Sequence, residues 1–86
     1  MTPDEAKALL PQVLEHLDAA RDDAVRLVRE SSEDLVRLVS DRYLAGCDEF
    51  AGDWVARSDQ WCEDEAREEL ADLVTYLAFR RIKRGG

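Results

Sequence analysis

With 86 residues, of which 45% are hydrophobic and 37% charged, the chain suits one small domain and is too apolar to stay disordered. No apolar run approaches the roughly 20 residues that span a bilayer, and the N-terminus lacks a secretory signal, so we expect a cytoplasmic protein without membrane contact. The net charge of −8 argues against binding of duplex nucleic acid, whose phosphates most of this surface would repel. Basic partners or divalent cations suit it better.

The N-terminal residues predict a helix that soon meets a proline. Thr2 can cap this helix, Pro3 fits its first position, and Glu5 completes a capping box. Pro11 then interrupts the pattern, because proline has no backbone N–H and its ring clashes with the preceding turn. Either a short first helix ends near Leu10, or a longer helix kinks there.

Residues 12–45 carry apolar side chains every three or four positions, a spacing that predicts helix. Residues 31–34, with the sequence Ser-Ser-Glu-Asp, interrupt the apolar stripe, and a serine there can cap a new helix. We favour a break at this point, since a single 34-residue helix is long for a globular domain. One continuous helix is the alternative.

A loop and a final helix follow. Gly46 predicts a helix end, residues 46–58 lack periodicity and form the predicted main loop, and Ser58 offers a cap for a helix over residues 60–83. Gly85 and Gly86 form a frayed tail. The apolar stripe of the final helix is predicted to bury Cys62, Ala66, Leu70, Leu73, Val74 and Leu77.

The sequence shows no strand-like alternation, so the predicted fold class is all-α. We expect a single helical domain over residues 1–86, built as a small antiparallel helical bundle or a helical hairpin of two to four helices. A chain this short buries only a modest core. Dimerisation is therefore a natural way to complete it.

Carboxylates line one face of the final helix. Glu65, Glu69, Asp72 and Tyr76 follow at spacings of four, three and four, so their side chains lie side by side. Carboxylates from two helices can share a Mg²⁺ ion, which prefers oxygen ligands. The alternative is a solvated acidic face near the N-terminal half of the helix, which the helix dipole favours.

Residues 68–77, with the sequence EELADLVTYL, resemble one helix of the MazG-like all-α nucleotide pyrophosphohydrolases. The resemblance implies that Glu69 and Asp72 form an ExxD pair that binds Mg²⁺. It also implies an ExxE pair on an earlier helix, and ahead of the final helix only Glu30 and Glu33 have this spacing. A protein of this family would use the bound Mg²⁺ to position a nucleoside triphosphate for release of pyrophosphate.

Aromatic residues surround the predicted loop, namely Tyr43, Phe50, Trp54 and Trp61. They can form a stacking surface for a nucleobase or an anchor patch for a protein partner. Alternatively, these rings fill a small core under the loop.

The loop also carries a second resemblance. The order of Tyr43, Gly46, Glu49, Gly52, Asp53 and Trp54 ahead of the final helix resembles small uncharacterised proteins of actinobacteria and their phages. The acidic surface can steer a partner and the aromatic loop can anchor it, so we expect a small acidic helical interaction protein, such as a phage accessory factor that binds a host protein. The alternative is a Mg²⁺-dependent MazG-like hydrolase or a degenerate relative. Self-association is compatible with both.

Overall fold

The computed structural model describes residues 1–50 and 52–85, and for residues 48–50 it describes the backbone only. This part of the chain is helical and contains no strand, which confirms the predicted all-α class and small helical bundle. Its α-helices are α1 (Pro3–Ala8), α2 (Leu10–Glu15), α3 (Leu17–Glu30), α4 (Leu35–Phe50) and α5 (Asp59–Lys83), with a 3₁₀ turn at Asp53–Ala56. None of these helices is long and apolar enough to cross a bilayer.

The N-terminal helices begin and end at local signals. The Thr2 hydroxyl accepts a hydrogen bond from the Glu5 N–H at 3.2 Å, and the Glu5 carboxylate accepts one from the Thr2 N–H at 3.3 Å, which confirms the capping box. Pro11 lies in the first turn of α2, where a backbone N–H would have no partner within the helix. Helix α1 accordingly ends before Pro11, at Ala8. A second interruption, at His16, was not predicted. There the His16 N–H donates to the Val13 carbonyl three residues back.

The predicted break at residues 31–34 is confirmed, since α3 ends at Glu30 and α4 begins at Leu35. The predicted loop of residues 46–58 is shorter in the structure. Helix α4 continues through Gly46, because a glycine in a helix interior costs only about 1 kcal/mol and does not by itself end a helix. Gly52 instead supplies the left-handed backbone, with φ of 74°, that leads into the 3₁₀ turn.

Helix α5 agrees with its prediction at both ends. It spans Asp59–Lys83, and the Ser58 hydroxyl caps it by accepting a hydrogen bond from the Trp61 N–H at 3.1 Å. Of the predicted frayed tail, Gly86 lies outside the described residues.

The core lies where α3 crosses α5, and α2 also packs against α5. Ala20 on α3 and Ala78 on α5 are fully buried, and because their side chains are small, little space separates the two helices. The buried cluster is completed by Ala24, Val74 and Leu77, with Val13 and Leu73 packed against it. Interdigitated packing of this kind makes each methyl group in the crossing matter for stability.

An ion pair at the edge of this crossing also joins α3 to α5. The Arg81 guanidinium donates two hydrogen bonds to the Asp23 carboxylate, one of them at 2.9 Å. These hydrogen bonds, together with the charges of Arg81 and Arg26, hold the pKa of Asp23 below its ordinary value. The same hydrogen bonds raise the pKa of Arg81.

The predicted apolar stripe of α5 is buried only in its second half. Val74 and Leu77 are buried and Leu73 is half-buried, whereas Leu70, Ala66 and Cys62 are exposed. The prediction that Cys62 is a core residue is therefore wrong, because α2 and α3 cover α5 only beyond that point. Both Cys47 and Cys62 are free and exposed thiols.

The chain as a whole exposes far more surface than its size requires. Its accessible surface is 7385 Å², whereas a folded monomer of 9.8 kDa exposes about 5,200 Å². The radius of gyration is 15.9 Å, compared with about 12 Å for a compact domain of this length. The structure is thus an open arrangement of helices around a very small core.

Candidate functional site

The predicted aromatic cluster forms a pocket where α4, the 3₁₀ turn and α5 meet. Tyr43 on α4, Trp54 on the turn and Trp61 on α5 line a cavity of about 420 Å³. The structure therefore brings together three of the four predicted aromatic residues. The fourth, Phe50, has a side chain that lies outside the described residues.

Local features of the sequence hold two of these rings in place. The left-handed backbone of Gly52 starts the turn that carries Trp54, and the Ser58 cap starts the helix on which Trp61 stands. The indole N–H of Trp54 donates a hydrogen bond to the Tyr43 hydroxyl at 3.3 Å, which joins the turn to α4. The indole thus has the polar partner that tryptophan usually finds.

The rings lie at the surface. Tyr43 and Trp54 are each 51% exposed, and Trp61 is half-buried. The alternative that the aromatic residues fill a core under the loop does not describe these three rings. They present apolar area to solvent in a concave pocket, the arrangement typical of binding sites.

Carboxylates surround the pocket. Glu65 and Glu69 lie on its α5 wall and Asp53 on its turn. Trp61, Glu65 and Glu69 are four residues apart, so that one helix face carries a ring followed by two acids. The sequence patterns predicted a metal site at Glu69 and a partner-binding surface at Trp61. The spacing of four that joins Trp61, Glu65 and Glu69 in one site is the signal that was missed.

A cation already lies against this wall. The Arg57 guanidinium is 5.3 Å from the centre of the Trp61 ring, and it also donates to the Asp53 carboxylate at 3.1 Å. A guanidinium at this distance is attracted by the negative face of the ring. The chain itself therefore shows how a ring and a carboxylate of this pocket hold a positive charge.

The two pairs of carboxylates predicted to bind Mg²⁺ lie on different segments, Glu30 and Glu33 around the end of α3 and Glu69 and Asp72 on α5. Glu30 ends α3, where it pairs with Arg26 at 3.7 Å, and Glu33 lies in the turn before α4. Glu69 lines the aromatic pocket, and Asp72 is exposed one turn further along α5. Among the described residues, no three His, Cys, Asp or Glu side chains are grouped so that they could hold a metal ion. The four-carboxylate metal site stays a prediction.

Helix α4 presents a second exposed surface, on the N-terminal side of the pocket. Its apolar face, defined by Leu35, Leu38 and Val39, is exposed to 49%, 42% and 57%. A shallow groove runs along this face from Leu38 to Gly46. Large apolar side chains at helical spacing with this much exposure are typical of interaction surfaces.

No protein-family model, curated protein or solved structure matches this chain. The resemblance to MazG-like pyrophosphohydrolases accordingly stays a prediction that depends on residues 68–77.

Proposed function

We propose that the chain is a small acidic interaction protein whose aromatic pocket binds a basic side chain of a protein partner. The observation that carries this proposal is the convergence of three rings and three carboxylates, from α4, the turn and α5, on one cavity of about 420 Å³. Aromatic residues that are partly exposed and already positioned lose little entropy on binding, which is why they dominate interfaces.

The chemistry of the pocket favours arginine or lysine. Rings attract the cation through their faces, and each such contact contributes about 0.5–2 kcal/mol, depending on how far it is desolvated. Carboxylates at the rim accept its N–H groups. The Arg57 guanidinium, held between Trp61 and Asp53, is an internal example of this recognition.

The charge of the whole chain supports the same class of partner. A net charge of −8 steers basic proteins toward the surface and speeds their encounter at low ionic strength. The expectation that the partner is a host protein bound by a phage factor stays a prediction, based on the sequence resemblance alone.

A peptide titration tests the proposal. Tri-arginine amide is added to the protein while the fluorescence of Trp54 and Trp61 is recorded, with tri-alanine amide as the uncharged probe. We expect a saturable change with tri-arginine only, because both indoles line the pocket. Trp54→Ala should weaken binding about tenfold, since one cation–π and stacking contact contributes about 1–2 kcal/mol.

Tyr76→Ala is the matched control, since Tyr76 is an exposed aromatic residue on α5 that does not line the pocket. It should bind the peptide as the wild type does. A partner protein retained by the wild type and Tyr76→Ala, and lost with Trp54→Ala, would extend the result to a natural ligand. The proposal fails if tri-arginine gives no saturable signal, or if both variants bind it equally.

A second candidate function is Mg²⁺-dependent hydrolysis of a nucleoside triphosphate. The observation that favours it is the position of Glu65 and Glu69 on the wall of a pocket whose rings can stack on a base. Titration with Mg²⁺ and then with nucleoside triphosphates, followed by an assay for pyrophosphate, tests this candidate. The absence of both a metal-dependent fluorescence change and pyrophosphate release would remove it.

A further inference from the structure

We infer that the apolar face of α4 is an interface between two copies of this chain. This inference goes beyond the proposed function and does not depend on it, since Leu35, Leu38 and Val39 do not line the aromatic pocket. The two surfaces can be tested with separate variants.

The apolar face of α4 is exposed in the single chain. Leu35, Leu38 and Val39 are spaced by three and one residues, which places them on one side of the helix. Each is about half exposed, and the contacts between elements run chiefly between α5 and α3, with α2 beside them. Burial of these side chains is favourable at about 25 cal/mol per Å² of apolar area.

The excess surface of the chain is comparable to the area that a stable dimer buries. The chain exposes roughly 2,200 Å² more than a folded monomer of its mass. If each copy covered that excess, the two would bury about 4,400 Å² in total, within the 2,000–5,000 Å² of obligate homodimers. The excess belongs to the whole chain, and the half-exposed side chains of α4 are part of it.

The distribution of charge distinguishes a second copy from a basic partner. Residues 35–47 contain two arginines and one aspartate, a net charge of +1 on a chain whose net charge is −8. Two copies of an acidic chain repel each other over most of their surfaces, whereas α4, whose net charge over Leu35–Phe50 is −1, adds little to that repulsion. A basic partner is attracted to the carboxylates around the pocket instead.

Sedimentation equilibrium tests the interface. We expect the wild type to have twice the 9.8 kDa mass of one chain at micromolar concentration and above. Val39→Glu should raise the dimer dissociation constant at least ~100-fold, because it places two like charges in an apolar contact. Leu44→Glu is the matched control, since Leu44 is nine residues from Leu35 and therefore on the opposite side of the same helix. It should leave the mass of the dimer unchanged.

Circular dichroism of each variant confirms that the helices are intact. If Val39→Glu loses its helical signal, Val39→Ser replaces it, and about a tenfold rise in the dissociation constant is then expected. A wild type that stays monomeric at 0.5 mM overturns the inference. A dimer that Val39→Glu or Val39→Ser leaves unchanged, or that Leu44→Glu dissociates, overturns it as well. The peptide titration with Trp54→Ala is read separately, so that either result can fail alone.

Discussion

The crossing of α3 and α5 and the apolar face of α4 share a helical spacing of apolar residues, but the first is buried and the second is exposed. Both regions place apolar side chains at spacings of three and four. At the crossing, Ala20 and Leu77 are buried, whereas on α4 Leu38 and Val39 are about half exposed. Periodicity predicts which side of a helix is apolar, but whether that side is buried depends on the elements that pack against it. The two regions therefore require different experiments.

Removal of a large side chain from the crossing is the most severe test of this contrast. Leu77→Ala should lower the free energy of unfolding by about 2–5 kcal/mol, because it leaves a cavity among packed neighbours. Leu44→Ala is the same change at an exposed site on α4, and it should change the free energy by no more than about 0.5 kcal/mol. Urea unfolding at one protein concentration measures both. Equal effects at the two sites would show that the regions do not differ as described.

A larger side chain at the centre of the crossing should have the next largest effect. Ala20→Leu inserts three carbon atoms between α3 and α5, where Ala20 is fully buried, and should destabilise the fold by about 1–3 kcal/mol. Ala66→Leu, at an exposed position of α5, is the control and should be nearly neutral. Thermal unfolding followed by circular dichroism distinguishes them. A tolerated Ala20→Leu would mean that the helices are not in close contact there.

The Asp23–Arg81 ion pair sharpens the comparison through pH. The pKa of Asp23 is lower in the folded chain than its unfolded value near 3.9. The stabilisation of the fold by the Asp23–Arg81 ion pair is therefore complete above the unfolded pKa of Asp23, and it is lost as pH falls through the folded pKa. The unfolding temperature of the wild type should decrease below about pH 4 more steeply than that of Asp23→Asn.

Asp18→Asn is the control for this pH dependence, since the Asp18 carboxylate is exposed and its ion pair with Arg21 is long, at 3.9 Å. It should keep the acid dependence of the wild type. We expect the effect of Asp23→Asn at pH 7 to be smaller than that of Ala20→Leu, because Arg81 is partly exposed to solvent. Identical acid profiles for the wild type and Asp23→Asn would argue against the ion pair.

The smallest effect is expected at the rim of the aromatic pocket. Glu69→Gln should weaken tri-arginine binding by about two- to fivefold, because an exposed ion pair contributes less than about 1 kcal/mol. Glu68→Gln, one residue earlier and absent from the pocket wall, should leave binding unchanged.

Added salt should weaken peptide binding and strengthen the α4 dimer, since screening removes attraction in one case and repulsion in the other.

Much of the fold follows from local chemistry that the sequence displays. The caps at Thr2 and Ser58 and the break at residues 31–34 depend on hydrogen bonds between near neighbours, and all three were predicted. The predicted end of α4 at Gly46 is wrong, because a glycine permits a helix end without requiring one. The left-handed backbone is instead found at Gly52.

The candidate site was less predictable, because it depends on which helices meet. The aromatic residues Tyr43, Trp54 and Trp61 were identified from their clustering in sequence, and the structure places them in one pocket. The exposure of Cys62 follows from tertiary packing, which periodicity does not specify, whereas the place of Glu65 beside Trp61 follows from their spacing of four residues on α5. The interruption at His16 likewise has no clear signal in the sequence.

Amide hydrogen exchange of the wild type and Val39→Glu tests the central contrast most directly. Residues 35–47 should lose protection in the variant, because their cover comes from a second copy, while residues 73–82 stay protected by the crossing of α3 and α5. Equal protection of residues 35–47 in both proteins, or loss of protection in both segments together, would contradict the account.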